Sequence, residues 1–246
     1  MRTTCMIALA MYSCLAGQTA PAQVPGYSDD EVKAQFVEAG MFCHAEFIRR
    51  GNRRAFEMAG CDTNRYARIL RELAVENTNE TKRVIANLGN KYKTPDSLPF
   101  LYSYATNAVY GAKALKSVFA IEGVNSNSVA ATCGYLAVTN AFTQQMDYER
   151  SDVCEWLLKE VSTSPSLTYL KPLCLNAAVD YAHNISIMHK SLDEAICAAD
   201  PTYRHSKRRL AVMRSAQNRC WNPMLTNYVT NAINELVAYP EADLPD

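Results

Sequence analysis

The side chains with the most chemical potential lie between positions 180 and 193. Asp180 and His183 are three residues apart, and His189 and Asp193 are four apart. At those spacings helical neighbours share a face and can together hold a metal ion or polarise a water. One helix alone supplies too few convergent ligands to close such a site. His183 therefore reads as a solvated residue, His189 as one bordering an apolar face, and neither a metal nor a cofactor is expected. Cys43-His44, with Glu46 nearby, has the composition of a nucleophile and its base. Adjacent residues on a helix point about 100° apart, so this thiol and imidazole do not meet. The chain has no Gly-x-Ser-x-Gly elbow, glycine-rich phosphate loop, His-Glu-x-x-His pair or calcium loop.

Two basic runs offer charge instead of catalysis. Arg49, Arg50, Arg53 and Arg54 straddle Gly51-Asn52, and Lys207-Arg208-Arg209 follows His205. Either run could meet an anionic partner such as a sulfated glycan or a lipid headgroup. A solvated turn and a solvated helical face are the commoner fate of such runs and the favoured reading.

Cysteine is the other informative residue type. Seven cysteines follow the first 22 residues: Cys43, Cys61, Cys133, Cys154, Cys174, Cys197 and Cys220. In an exported chain such a set reads as disulfides, and the absence of Cys-x-x-Cys argues against zinc. A bridge needs Cα atoms about 4.4–6.8 Å apart, so two antiparallel helices can be joined only at similar distances from their turn. Cys43 and Cys61 are centred on Asn52, and Cys154 and Cys174 on Ser164. Spacing therefore predicts bridges 43–61 and 154–174. Cys133, Cys197 and Cys220 are left to form one pair and one odd thiol, the latter available for a disulfide-linked homodimer.

The elements that must position these residues are helical. Apolar residues recur at three- and four-residue spacing, and glycine is scarce. Ser28 to Glu31 has the form of a capping box, after which Val32, Phe36, Gly40, Cys43 and Phe47 share a face until Gly51-Asn52 breaks it. A helix from Asn64 continues to Leu88 through a polar middle, or divides near Asn79. Phe100–Ile121 predicts one helix, and a polar turn at 125–128 opens another to about Asp147. Ser151-Asp152 caps a short helix. Leu170, Cys174, Ala177, Tyr181, Ile185, Met188, Leu192 and Ile196 predict a single helix of seven turns. Asp200-Pro201 and Asn222-Pro223 both read as helix starts.

Composition bounds what such a scaffold does. Residues 1–22 pair a charged first step with a short apolar run and Ala20-Pro21-Ala22, the pattern of a signal peptide cut after Ala22. The whole chain carries 25 basic and 25 acidic residues, which is not the footprint of a nucleic-acid binder. No later stretch is apolar for long enough to span a membrane. Asn79 and Asn184 stand in glycosylation tripeptides.

The sequence thus describes an all-α, disulfide-stapled, antiparallel bundle of about eight helices. It forms one domain over residues 23–246, with a sub-boundary near 90–97. The expected role is that of a secreted, non-catalytic binding protein with an extracellular protein or matrix partner, of matrix, venom or effector type. A carrier of a small apolar ligand and a secreted enzyme of unrecognised class are the alternatives.

Overall fold

The computed structural model describes residues 26–138, 144–185, 189–220, 222–239 and 244–245. The leader-like stretch 1–22 lies outside the described residues. Those that are described form twelve α-helices and no strand. They fall into two compact units divided between Asp62 and Thr63.

The first unit is a helical hairpin of α1 (Asp29–Gly40) and α2 (Ala45–Met58). The capping box is present: the Ser28 hydroxyl accepts from the Glu31 amide, and the Glu31 carboxylate accepts from the Ser28 amide at 2.8 Å. Val32, Phe36 and Ala39 of α1 are buried, as is Ala55 of α2. The turn falls at Met41–His44 and not at Gly51-Asn52, through which α2 runs unbroken. Gly51 marks a close crossing instead of a break. A Cβ added there would stand 2.4 Å from the Ala39 Cβ, inside any tolerable contact, so the absent side chain sets how near the two helices lie.

The second unit opens with α3 (Thr63–Glu76) and α4 (Thr81–Asn90), separated by a 3₁₀ turn at Thr78–Glu80. Of the two readings of the polar middle, the division is the one observed. A 3₁₀ turn at Pro95–Ser97 leads into α5 (Leu98–Tyr104), and α6 (Gly111–Glu122) follows. The single helix expected over Phe100–Ile121 is therefore two, because the Asn107 side chain accepts from the Val109 and Tyr110 amides and turns the chain.

After α7 (Ser126–Leu136), α8 (Gln144–Thr163) passes straight through Ser151-Asp152, so Ser151 is buried within a helix and caps nothing. The predicted seven-turn helix is a 3₁₀ turn at Pro165–Leu170, then α9 (Lys171–Asn184), then α10 (Lys190–Ala199). Ile185 takes an extended conformation after α9. Asp200 accepts from Thr202 in a turn, and the next helix, α11 (Lys207–Gln217), is capped by Ser206. Asn222-Pro223 does open α12 (Pro223–Val237), with Asn222 accepting from the Leu225 amide at 2.8 Å.

Sequence neighbours pack together, as α3 does with α4, α8 with α9 and α11 with α12. Longer-range pairs, α4 with α6, α8 with α10 and α9 with α11, close the unit. Its largest apolar core draws on α7 to α12, around Leu157, Val161, Ala178, Ile196 and Met213. A second core joins α5, α6, α7 and α8 through Leu115, Phe119, Tyr135 and Val153.

The staples are absent. All seven cysteines are free thiols, and no pair stands at disulfide distance. Cys43 lies in the hairpin turn and Cys61 beyond the far end of α2, so 18 residues of largely helical rise, about 27 Å, separate them. Cys154 in α8 and Cys174 in the first turn of α9 are buried in one core but do not stand at disulfide distance, the 3₁₀ turn at Pro165–Leu170 intervening between their helices. Cys133, Cys197 and Cys220 form no pair within the chain either.

Candidate functional site

The best-defined polar centre is built at the start of α10. Asp193, one turn into that helix, is completely buried. Arg209 of α11 grips it, with Nη2 2.9 Å from Oδ2 and Nε 3.3 Å from Oδ1. The Tyr228 hydroxyl of α12 donates to Asp193 Oδ2 at 2.6 Å. The fourth tie is Arg209 Nη1 donating to the Arg204 carbonyl at 2.9 Å. Local sequence sets each partner: Ser206 caps α11 and fixes the first turn that carries Arg209, while Asn222-Pro223 fixes the start of α12.

Electrostatics explain the state of these groups. Burial works to lower the Arg209 pKa, but the hydrogen bonds and charge of Asp193 outweigh it, and the net shift is upward. The guanidinium stays charged. Burial, then the hydrogen bond to Asp193, raises the Tyr228 pKa, so its hydroxyl remains a donor. The Cys197 thiol nearby is pushed up to about 11, first by burial and then by Asp193.

Tyr228 also lines a groove of about 820 Å³ with Tyr148, His189, Lys190, Met224 and three asparagines, Asn222, Asn227 and Asn231. His189 packs against Tyr148 with ring centroids 4.1 Å apart. Lys190 Nζ lies 5.5 Å from the centre of the Tyr228 ring and 3.4 Å from Glu194. Among the described residues, no carboxylate lines the groove. The lining offers binding chemistry: aromatic faces for a flat or apolar body, amides for a polar edge, and one cation.

The residues singled out from sequence scatter around this centre. His189 and Asp193 do come together with a residue of another helix, Tyr228. Asp180 and His183 are exposed on α9, and the His183 carbonyl accepts from Arg219. The Lys207-Arg208-Arg209 run is not one solvated face, because Arg209 is buried and Arg208 bonds to the Asn176 side chain. Cys43 is exposed in a turn and not on a buried stripe, and the His44 ring accepts from the Glu46 amide as the cap of α2. Arg49, Arg50, Arg53 and Arg54 are all exposed. Asn79 is exposed in its 3₁₀ turn, with Thr81 of the same tripeptide buried and donating to the Ala74 carbonyl. Asn184 is exposed at the end of α9, and Ser186 of its tripeptide lies outside the described residues.

Sequence reading brought Cys154 and Cys174 together, as a bridge that is not formed, and missed Cys133, which lies beside Cys174. A hydrogen bond from Cys174 lowers the Cys133 pKa, and the same bond followed by burial raises that of Cys174. Burial raises Cys154. Among the described residues, no group of three or more His, Cys, Asp and Glu is arranged to hold a metal ion. No described helix is long and apolar enough to cross a membrane.

No family model, no curated protein and no solved structure matches this chain.

Proposed function

We propose that this chain is an exported, non-catalytic binding protein whose ligand site is the groove bounded by Tyr148, His189 and the first turns of α12. The observation that carries this reading is the 2.6 Å bond from Tyr228 to the buried Asp193. It fixes a groove-wall ring in one orientation, and a pre-set wall loses little entropy when a ligand arrives. The buried carboxylate is occupied by Arg209 and Tyr228, so the strongest charges near the groove hold the wall in place.

The ligand class follows from the lining. A small molecule with one flat or apolar face and a neutral or singly anionic polar edge suits two tyrosines, three amides and Lys190. Support for export is the leader pattern of residues 1–22; glycans on Asn79 and Asn184 belong to the same reading.

Native mass spectrometry of the secreted protein tests both halves. The mature chain should begin at Gln23, and it should carry an additional, dissociable small mass that disappears in Asn231→Trp, a variant that fills the groove. A chain still beginning at Met1 overturns export. A bare chain, or a bound mass that Asn231→Trp leaves in place, overturns the groove.

A further inference from the structure

The hairpin unit presents an apolar tip with a basic collar. Met41, Phe42 and Phe47 sit in and just after the α1–α2 turn and are 76%, 47% and 53% exposed. The Phe42 and Phe47 rings are 5.7 Å apart, so they pair outside the hairpin's own core. Isolated exposed apolar residues are ordinary, but two aromatic rings and a methionine clustered on one turn are a patch that calls for a partner.

Charge divides along the same hairpin. The close crossing of Gly51 on Ala39 sets the register, which places Arg49, Arg50, Arg53 and Arg54 in the half nearer the tip, against Glu38 and Glu46, and Lys33 level with Glu57 in the other half. Asp29, Asp30, Glu31, Glu57 and Asp62 lie toward the root. Phe47, Arg50 and Arg54 are related by three and seven residues and so share one helical face. The cations then stand about 4.5 Å and about 10.5 Å behind Phe47 along the axis. That separation matches an apolar group at the acyl boundary with its arginines at headgroup depth. Glu38 and Glu46 are the dissenting charges; Glu46 is bridged by both Arg49 and Arg50, and Arg53 is bridged by Glu57. Such exposed ion pairs are weak, so lipid phosphates can replace the carboxylate.

We infer that the α1–α2 tip docks on an anionic phospholipid surface, inserting Met41, Phe42 and Phe47 while Arg49, Arg50, Arg53 and Arg54 contact headgroups. A sulfated polysaccharide answers the arginines but offers nothing to three exposed apolar side chains, which is why a bilayer is the occupant.

The test is cosedimentation of the full chain with phosphatidylcholine vesicles, with and without phosphatidylserine. Binding should require phosphatidylserine and weaken with salt. It should fall at least about tenfold in Phe42→Ser/Phe47→Ser and about fivefold for each arginine changed to glutamine. Both phenylalanines are exposed, so the double variant should keep its melting temperature. In Cys61→Ser, a polarity-sensitive dye on Cys43 should shift to the blue with anionic vesicles. No binding, binding indifferent to the phenylalanines, or heparin binding that exceeds vesicle binding and ignores them would each overturn the inference.

Discussion

Arg209 and Asp193 form an ion pair with side chains only 7% and 0% exposed, their closest atoms 2.9 Å apart. A pair so buried is held by mutual satisfaction, because each charge alone is costly in an apolar interior. Asp193→Ala should therefore cost about 3–5 kcal/mol in urea unfolding, since it strands the guanidinium. Tyr228→Phe should cost about 1.5–3 kcal/mol, the range for one hydrogen bond to a charged group. Asp193→Leu with Arg209→Met should recover most of the loss. If Asp193→Ala cost under about 1 kcal/mol, water would have to reach the site and the rigid-wall argument would lapse.

The contact of Gly51 with Ala39 makes a sharper demand on the hairpin. Gly51→Ala gains helix propensity of about 1 kcal/mol in isolation. Here its Cβ would lie 2.4 Å from the Ala39 Cβ and 3.2 Å from the Ala39 Cα. Overpacking of this kind costs about 1–3 kcal/mol, so the substitution should be destabilising overall. Moving the methyl, as Gly51→Ala with Ala39→Gly, should restore most of it. Were Gly51 a helix break, the Ala39 change would rescue nothing, and hydrogen exchange across 45–58 reads the difference.

These two sites show what the sequence could and could not disclose. Apolar spacing and caps at Ser28, Asn125 and Asn222 located helices, because those signals are local. Where a break depends on one side chain folding back, as with Asn107, or on a passing partner, as with Gly51, the local pattern pointed the wrong way. The buried pair left a faint trace. Arg209 is spaced three and four residues from Val212 and Met213 on the buried side of α11, and Asp193 lies beside Leu192 and before Ile196 on that of α10. A charge in an apolar stripe is a signal, but its partner 16 residues away is not readable without the fold. The disulfide reading failed for Cys43 and Cys61 because the turn was misplaced. For Cys154 and Cys174 the break at Ser164 is where it was expected, but a 3₁₀ turn of six residues follows it and the two thiols share a core without reaching bonding distance.

Thiol chemistry checks that correction directly. Cys61 sits at the end of α2 with φ of 55°, a left-handed backbone that favours glycine. Cys61→Gly should stabilise the hairpin by about 0.5–1 kcal/mol, whereas loss of a structural disulfide would cost about 2–5 kcal/mol. Alkylation of the folded protein should begin at the exposed Cys43 and Cys61, with the fully buried Cys154 and Cys174 protected until unfolding. The accessible fraction of Cys197 should react faster as pH rises toward about 11, because only the thiolate attacks and burial holds its pKa up.

Two further arginines act on helix ends, where unpaired carbonyls gather negative partial charge. Arg150, almost wholly buried, donates to the Tyr135 and Val138 carbonyls at 2.9 Å each and stacks 4.3 Å above the Tyr135 ring. Arg219 does the same beyond α9, donating to the carbonyls of His183 and Ile185. The difference lies in access to water, since Arg219 is only partly buried. Arg150→Met should thus cost about 1–3 kcal/mol, because a buried charge-assisted pair of bonds is lost while the Tyr135 carbonyl keeps only its backbone partner, and Arg219→Met about 1 kcal/mol, because water can take over. Arg150→Lys should fall between wild type and Arg150→Met, as an ammonium lacks the planar fork that serves two carbonyls at once. Equal losses at 150 and 219 would show that solvent reaches both helix ends, and the protection ascribed to Arg150 would then belong to its stacking on Tyr135.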